Sequence, residues 1–236
     1  MKHINKKRFW DNKILGWEKD KYSVPKSTLG KLLDVNRSLK KRQQIAQSVL
    51  MQVVKGRTVL EIGCGTARLL PFVFKAGATK YIGVDISEEA LKQAQAKAKE
   101  LDLEEVTQFY QLDVNVLNKI DVDICFSLGL LDWLALAEIE QMLSCISCRY
   151  YFHSFSERRV SFQQILHRLY VYMLYGHRTK SYVPRYYTQK QIVDIFTSYY
   201  KFPAKYFRSN TGFMSFVYHL ERVKGFEFST SNHEEC

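Results

Sequence analysis

The chain has 236 residues, 46% of them hydrophobic, which is enough for one substantial core and typical of a single α/β domain. No run approaches the roughly 18 apolar residues of a membrane span, and the basic start lacks an apolar signal region, so we expect a cytoplasmic protein. The five cysteines form an odd, scattered set, which argues against a secreted disulfide framework.

Positive charge is concentrated in two segments of the chain. The net charge is +11, and residues 1–42 and 149–208 each have a net charge of +9, whereas residues 43–148 have −5 and the tail 209–236 has −2. This asymmetry favours an anionic partner near the two basic segments. A solvated basic surface without a dedicated ligand would give the same pattern.

Strand and helix patterns alternate along the chain. Short apolar runs predict strands at 59–62, 80–84, 108–112, 122–127 and 149–155, and two more around a turn at 209–212 within 204–220. Helices are predicted at 37–54, directly after Gly65, at 88–101 behind the N-cap Ser87, and after the capping box that begins at Thr188. This order predicts an α/β fold with a mostly parallel sheet covered by helices on both faces, whose ligand lies at the carboxyl ends of the strands.

A glycine-rich loop follows the first predicted strand. Glu61, Gly63, Cys64 and Gly65 lie where the strand ends and a helix is expected, and glycines there let the backbone approach a ligand closely. We interpret this stretch as a cofactor loop.

Acidic residues follow the next two strands. Asp85, 24 residues after Glu61, has the spacing of a carboxylate that takes both ribose hydroxyls of a nucleoside. Asp113 and the amide of Val114 could read the amino edge of an adenine, and Ile86 could cover a face of the base. The alternative is that the glycines only form a tight turn and the aspartates only cap helices.

A nicotinamide dinucleotide site would use a related loop. Its third glycine would fall on position 68, which is Arg68 here. A nucleoside without a pyrophosphate therefore fits the loop better.

The stretch Val59–Thr66 resembles the first motif of the class I S-adenosylmethionine-dependent methyltransferases. The resemblance covers about residues 40–220 in element order, with specific motifs only in 58–130, and it implies a Rossmann-like seven-stranded sheet ending in an antiparallel hairpin. Ala67 departs from the family, which usually has a third glycine there.

The same resemblance implies a cofactor, S-adenosylmethionine, whose product is S-adenosylhomocysteine. It assigns Glu61, Gly63 and Gly65 to the methionine part, Asp85 to the ribose and Asp113 to the adenine amino group. Ser127 and Leu128 would line the methionine side.

We expect one domain with five parts. They are an N-terminal arm or lid at 1–36, a cofactor-binding core at 37–155, a cap insertion at 156–187, a C-terminal helix and hairpin at 188–222, and a flexible tail at 223–236. In the arm, Phe9, Trp10 and Asp11, followed by Trp17 and Glu18, could fold over the cofactor or dock on the sheet.

A hydroxyl acceptor would need a general base, and histidine is the side chain best matched to that work near neutral pH. His153 is the first candidate because it stands near the carboxyl end of the fifth strand. His167 and His177, in the cap, are weaker candidates. The alternative is that His153 has only a structural role.

The cap is rich in Arg and Tyr, which suggests a small anionic acceptor linked to a sugar, nucleotide, lipid or natural product. Apolar residues in the cap have helical spacing, and such positions are more often core than a lipid-facing patch, so we predict that they pack into the core: Phe162, Ile165, Leu166, Leu169 and Met173.

Two other functions stay open. An RNA methyltransferase would use the basic, tyrosine-rich surface, and a non-catalytic protein could keep the fold as a binding platform. Cys145 and Cys148 form one pair without a second pair at suitable spacing, so no metal is predicted. The oligomeric state is not indicated.

Overall fold

Seven strands form a single sheet in the computed structural model, which describes residues 5–12, 35–172, 182–210 and 212–221. The strands are β1 (Thr58–Ile62), β2 (Lys80–Asp85), β3 (Thr107–Gln111), β4 (Ile120–Leu128), β5 (Ile146–Ser156), β6 (Lys205–Arg208) and β7 (Met214–His219). Their order is β3-β2-β1-β4-β5-β7-β6. The first five are parallel, and β7 is antiparallel to both β5 and β6. The Rossmann-like sheet with a terminal hairpin is therefore confirmed.

Helices cover both faces of the sheet. They are α1 (6–12), α2 (Val35–Val53), α3 (Leu70–Lys75), α4 (Glu88–Glu100), α5 (Leu136–Ser144), α6 (Phe162–Val171) and α7 (Gln189–Tyr199). One buried apolar cluster includes residues of α2, α3 and α4, and a second includes residues of α5 and α7. Among the described helices, none is both long and apolar enough to cross a bilayer.

Two helix starts agree with the capping signals in the sequence. The Ser87 hydroxyl accepts a hydrogen bond from the Ala90 amide (3.2 Å) and begins α4. The Thr188 hydroxyl accepts from the Gln191 amide (3.2 Å), while the Gln191 side chain accepts from the Thr188 amide (3.0 Å). These bonds satisfy amides that would have no partner within the helix.

The helix after the glycine-rich loop begins later than predicted. It starts at Leu70 rather than directly after Gly65, because Ala67 has a left-handed backbone (φ +50°) that cannot continue a right-handed helix. Pro71 then occupies the first turn of α3, where the missing amide hydrogen is tolerated.

The prediction that the apolar positions of α6 pack into the core was wrong. Phe162, Ile165, Leu166 and Leu169 are 73%, 63%, 44% and 54% exposed. The polar Gln164 is buried instead, because hydrogen bonds hold its amide against the backbone of Glu157 and Arg159, just after β5. Met173 lies outside the described residues.

Glu157, which follows β5 directly, joins three parts of the fold. Its buried carboxylate accepts hydrogen bonds from Arg159 Nε (3.0 Å), Arg208 Nε (2.9 Å) and the Ser215 hydroxyl (3.0 Å). Burial alone would raise the pKa of Glu157, but the hydrogen bonds, that of Arg208 first, outweigh it and lower the pKa. The network holds the segment before α6 against the β6–β7 hairpin.

We expect Glu157→Gln to lower the free energy of unfolding at pH 7 by about 1–3 kcal/mol, because two arginines lose their anionic partner. A lowered pKa stabilises the folded state above the unfolded value of about 4.3 and ceases to do so as the pH falls through the folded value. The difference between wild type and variant should therefore shrink below about pH 4.3. Urea unfolding at several pH values measures it.

Glu221→Gln is the matched control for this variant. Glu221 also pairs with an arginine (Arg57, 2.9 Å), but its side chain is 51% exposed. Its loss should change stability much less than the loss of Glu157, because solvent screens an exposed ion pair. Equal losses for the two variants would show that the Glu157 network does not stabilise the fold specially.

Candidate functional site

Three acidic residues lie at the carboxyl ends of three adjacent strands. Glu61 belongs to β1, Asp85 ends β2, and Asp113 follows β3. In the parallel register Glu61 is opposite Gly83, and Asp85 is opposite Gln111. The residues predicted to bind the methionine, ribose and adenine parts of the cofactor therefore lie at one edge of the sheet, where ligands of such sheets bind.

The glycine-rich loop is fastened to the end of β2. The amides of Gly63 and Cys64 donate to the Val84 carbonyl (2.7 and 3.1 Å). Gly63 and Gly65 have positive φ angles (+69° and +53°), and Ala67 repeats this conformation at +50°. A non-glycine residue adopts it at a cost of roughly 1–2 kcal/mol, so the alanine keeps the backbone of the loop at the cost of strain.

Asp85 is the residue that fixes the loop. Its Oδ2 accepts from the Gly65 amide (2.8 Å) and its Oδ1 from the Ser87 amide (2.8 Å), and the side chain is 8% exposed. A carboxylate offers about four acceptor positions, and a carboxylate at this strand end is the group expected to accept hydrogen bonds from the hydroxyls of a ribose. A carboxylate acceptor of the kind expected for a nucleoside diol is therefore present.

The position predicted to bind the adenine is more exposed to solvent than that of Asp85. Asp113 Oδ1 accepts from the amide and the side chain of Asn115 (2.9 and 2.7 Å), which orients the carboxylate. Val114 is buried, and Ile86 is partly exposed beside Ser87. An amino-group acceptor and an apolar surface are thus available at the ends of β3 and β2.

Tyr81 is a site residue that sequence reasoning missed. Its hydroxyl donates to Glu61 Oε2 at 2.5 Å, and both side chains are almost fully buried. Burial first, and then the Glu61 carboxylate, raise the pKa of Tyr81, so the phenol remains a donor. Only the register, which places Tyr81 diagonal to Glu61 on the same face, could have revealed it.

Ser127 and His153 face each other across β4 and β5, away from solvent. The Ser127 hydroxyl and His153 Nδ1 are 2.9 Å apart, and both side chains are completely buried. The imidazole packs against Phe196 of α7, and burial lowers the pKa of His153 to about 3. Leu128, in contrast, packs against the cluster on the opposite face. This geometry disfavours His153 as a base and the Ser127 side chain as a cofactor contact.

The two weaker histidine candidates cannot be placed. His177 lies outside the described residues, as does the His167 side chain. Among the described residues no three His, Cys, Asp or Glu side chains are grouped as a metal site would require.

A buried ion pair joins α2 to the loop after β4, and it was not predicted from the sequence. Arg42 of α2 donates to Asp132 Oδ2 (3.3 and 3.4 Å), and Asp132 accepts from the Ser156 amide (2.5 Å) and hydroxyl (3.0 Å). A Cβ at Gly129 would come within 2.4 Å of Arg42 Nη1. The glycine after β4 therefore lets a guanidinium lie against the backbone at this edge.

The N-terminal helix α1 lies at the same edge. Asp11 accepts from the Ser87 hydroxyl (2.9 Å), Lys7 pairs with Glu88 (3.0 Å), and Lys6 pairs with Glu138. Its contacts thus run from the end of β2 to the start of α5, across the residues predicted to bind the cofactor. This placement favours the lid interpretation of the arm, while Trp17 and Glu18 lie outside the described residues.

An aromatic cluster joins α1 to the loop after β4. Trp10 stacks edge-on against Trp133 (4.9 Å between ring centroids), and Phe9 contacts both Trp133 (5.9 Å) and Tyr182 (5.3 Å). The Trp10 indole also donates to the Tyr182 hydroxyl (3.2 Å). The cluster gives this end of the site apolar walls.

Known proteins match the central part of the chain. Residues 59–149 match the family model of a methyltransferase domain. An uncharacterized protein of Haemophilus influenzae is 32% identical over 100 residues, which cover 42% of this chain and 36% of that protein. The ribosomal protein L11 methyltransferase of Thermotoga maritima is 31% identical over 68 residues, 29% of this chain and 26% of that enzyme. The chain thus spans between about a quarter and just over a third of these curated relatives.

A solved structure extends the likeness over most of the chain. Magnesium protoporphyrin IX methyltransferase from Synechocystis PCC 6803 with bound S-adenosylhomocysteine (SAH) superposes with a TM-score of 0.67. The two are 18% identical, over 92% of this chain and 98% of that one. At this identity the likeness establishes the fold.

We expect Tyr81→Phe to reduce stability by about 1–3 kcal/mol and to weaken nucleoside binding, because the buried Glu61 carboxylate loses a donor. Thermal unfolding and calorimetric titration of the variant measure the two effects.

Tyr151→Phe is the matched control, since the Tyr151 hydroxyl is also buried in a strand but has no hydrogen-bond partner among the described residues. Its removal should be nearly neutral. If both variants behave alike, the Tyr81–Glu61 bond does not organise the site.

Proposed function

We propose that this chain is a class I S-adenosylmethionine-dependent methyltransferase and that it methylates a hydroxyl group of a small anionic acceptor. The observation that carries the proposal is the alignment of Glu61, Asp85 and Asp113 at neighbouring strand ends beneath α1. An acceptor linked to a sugar, a lipid or a natural product agrees best with the basic residues near that edge.

The cofactor of this family is S-adenosylmethionine, which supplies an electrophilic methyl group on a sulfonium. In this chain Asp85 would hold the ribose and Asp113 the adenine amino group. Glu61 and the backbone of Gly63 and Gly65 would shape the pocket for the methionine part. The left-handed backbone of the loop and the carboxylate of Asp85, held at the end of β2 beside that loop, fit such a ligand.

Positioning and water exclusion are what the protein must add, because displacement at a methyl group requires alignment rather than a covalent residue. The aromatic cluster of Phe9, Trp10, Trp133 and Tyr182 provides apolar cover on the α1 side. The Arg42–Asp132 pair holds the loop after β4 that carries Trp133.

Basic residues surround the other end of the edge. The Arg185 amide donates to the Asp132 carbonyl (2.6 Å), which places Arg185 next to the loop after β4, and its side chain is exposed. Arg158 and Arg168 are also exposed. Guanidinium groups bind phosphates and carboxylates through paired hydrogen bonds, which favours an anionic acceptor.

An RNA acceptor is the second candidate, favoured by the same arginines together with exposed Tyr172 (54%). Phosphate contacts would make RNA affinity fall steeply as the salt concentration rises. A filter-binding series across salt concentrations distinguishes the two acceptor classes.

We expect S-adenosylhomocysteine to bind with a dissociation constant in the micromolar range, about −8 kcal/mol, and NAD not to bind in the same calorimetric titration. Asp85→Ala should weaken binding roughly 10–100-fold, because hydrogen bonds to a charged acceptor are lost. Asp85→Asn, which keeps one acceptor oxygen, should lose less.

Asp121→Ala is the control for these variants, because Asp121 is an exposed carboxylate at the opposite end of β4. Unchanged affinity in folded Asp85→Ala would refute the ribose assignment. If the wild type does not bind S-adenosylhomocysteine, the non-catalytic alternative is favoured.

The proposed role of His153 as general base has a sharp test once an acceptor is found. Loss of a general base costs about 100-fold or more in kcat. From its burial and its pKa of about 3 we expect His153→Gln to change kcat by less than about tenfold and to leave the pH–rate profile unshifted. A larger loss with a displaced profile would restore the catalytic assignment.

A further inference from the structure

Helix α6 is fixed to the protein by its polar residues. The Ser161 hydroxyl caps it by accepting from the Gln164 amide (3.2 Å). The buried Gln164 side chain donates to the Glu157 carbonyl (2.7 Å) and accepts from the Arg159 amide (2.7 Å). These bonds determine which side of α6 faces the sheet.

The opposite side of α6 is apolar and faces solvent. Its residues recur at helical spacing, so they form one continuous stripe. They are Phe162 (73% exposed), Ile165 (63%), Leu166 (44%) and Leu169 (54%), with fully exposed Val160 at one end and Tyr172 (54%) at the other. A contiguous exposed apolar patch of this kind marks a surface that contacts a partner.

The sequence around the stripe is strongly basic. From Arg158 to Lys190 the sequence has seven Lys or Arg and no Asp or Glu. The nearest acidic residue, Glu157, is buried and already bound by Arg159 and Arg208. Arg158, before the helix, and Arg168, within it, are exposed, and the Arg168 guanidinium lies 5.6 Å from the centroid of the Tyr186 ring.

We propose that α6 docks on the surface of a membrane containing anionic lipids. A helix with an apolar stripe and flanking arginines lies in the interface, with its stripe among the acyl chains and its cations at the headgroups. The charge selects this partner over a second copy of the chain, because a symmetric pair through α6 would bring the arginines of both copies together. A nucleic acid would leave the apolar stripe in water.

The position of α6 gives this docking a consequence for the site. Only five residues separate the end of β5 at Ser156 from the start of α6 at Phe162. Docking would therefore hold the carboxyl edge of the sheet close to the bilayer surface. The proposal goes beyond methyl transfer and does not depend on it.

Flotation with lipid vesicles tests the proposal. We expect the wild-type protein to float with vesicles of phosphatidylcholine and phosphatidylglycerol but not with phosphatidylcholine alone, and to dissociate as salt is raised. The double variant Ile165→Gln/Leu169→Gln should partition onto anionic vesicles about tenfold less, or weaker still, because two exposed apolar side chains no longer insert.

Met51→Gln/Leu101→Gln is the matched control, because these two residues are also exposed (46% and 41%) but lie on α2 and directly after α4. It should float like the wild type. Circular dichroism and the affinity for S-adenosylhomocysteine should be the same in both double variants, so that a failure of docking is separated from a failure of the fold or of the proposed function.

Three outcomes would overturn the proposal. They are wild-type protein that does not float with anionic vesicles, an α6 variant that floats as well as the wild type, and equal losses in the two double variants. A dimer in sedimentation that the α6 variant alone dissociates, without vesicle binding, would assign the stripe to a second copy.

Discussion

The carboxylate of Asp85 is the constraint on which the candidate site depends. Asp85 ends β2, and its carboxylate accepts a hydrogen bond from the Gly65 amide through one oxygen and from the Ser87 amide through the other. A single side chain thereby connects the glycine-rich loop after β1 with the N-cap of α4. A buried carboxylate tolerates this position because charge-assisted bonds to amides replace its lost hydration. The proposed ribose contact and the conformation of the loop therefore depend on the same side chain.

The carboxylates at the two ends of this sheet edge have different hydrogen-bond partners. On the side of β1, β2 and β3, carboxylates are bound by amides and a phenol, so they present acceptors to a ligand. On the side of β4, β5 and the hairpin, carboxylates are bound by arginines: Asp132 by Arg42, and Glu157 by Arg208 and Arg159. Exposed cations are left in excess at the second end. A neutral or cationic ligand group suits the first end and an anionic one the second.

How much the sequence predicted follows from the range of each interaction. The succession of strands and helices, and the positions of Glu61, Asp85 and Asp113 near strand ends, could be predicted because short apolar runs and glycines report on local backbone. Tyr81 and Arg42 could not, since they reach the site across strands or from another helix. Helix α6 was mispredicted because its apolar spacing is the same whether the stripe faces a core or a membrane. Only the buried Gln164 distinguishes the two orientations.

The small helix α1 has a kinetic consequence. It is joined to both flanks of this edge, by Asp11 at Ser87 and by Lys6 at Glu138, so if the proposed cofactor binds beneath it, opening of these bonds would accompany its exchange. Methyl transfer leaves a product that keeps most contacts of its precursor, and its departure would wait for the same opening. In the proposed methyltransferase, turnover would then be limited by the movement of the seven residues 6–12 rather than by the reaction itself.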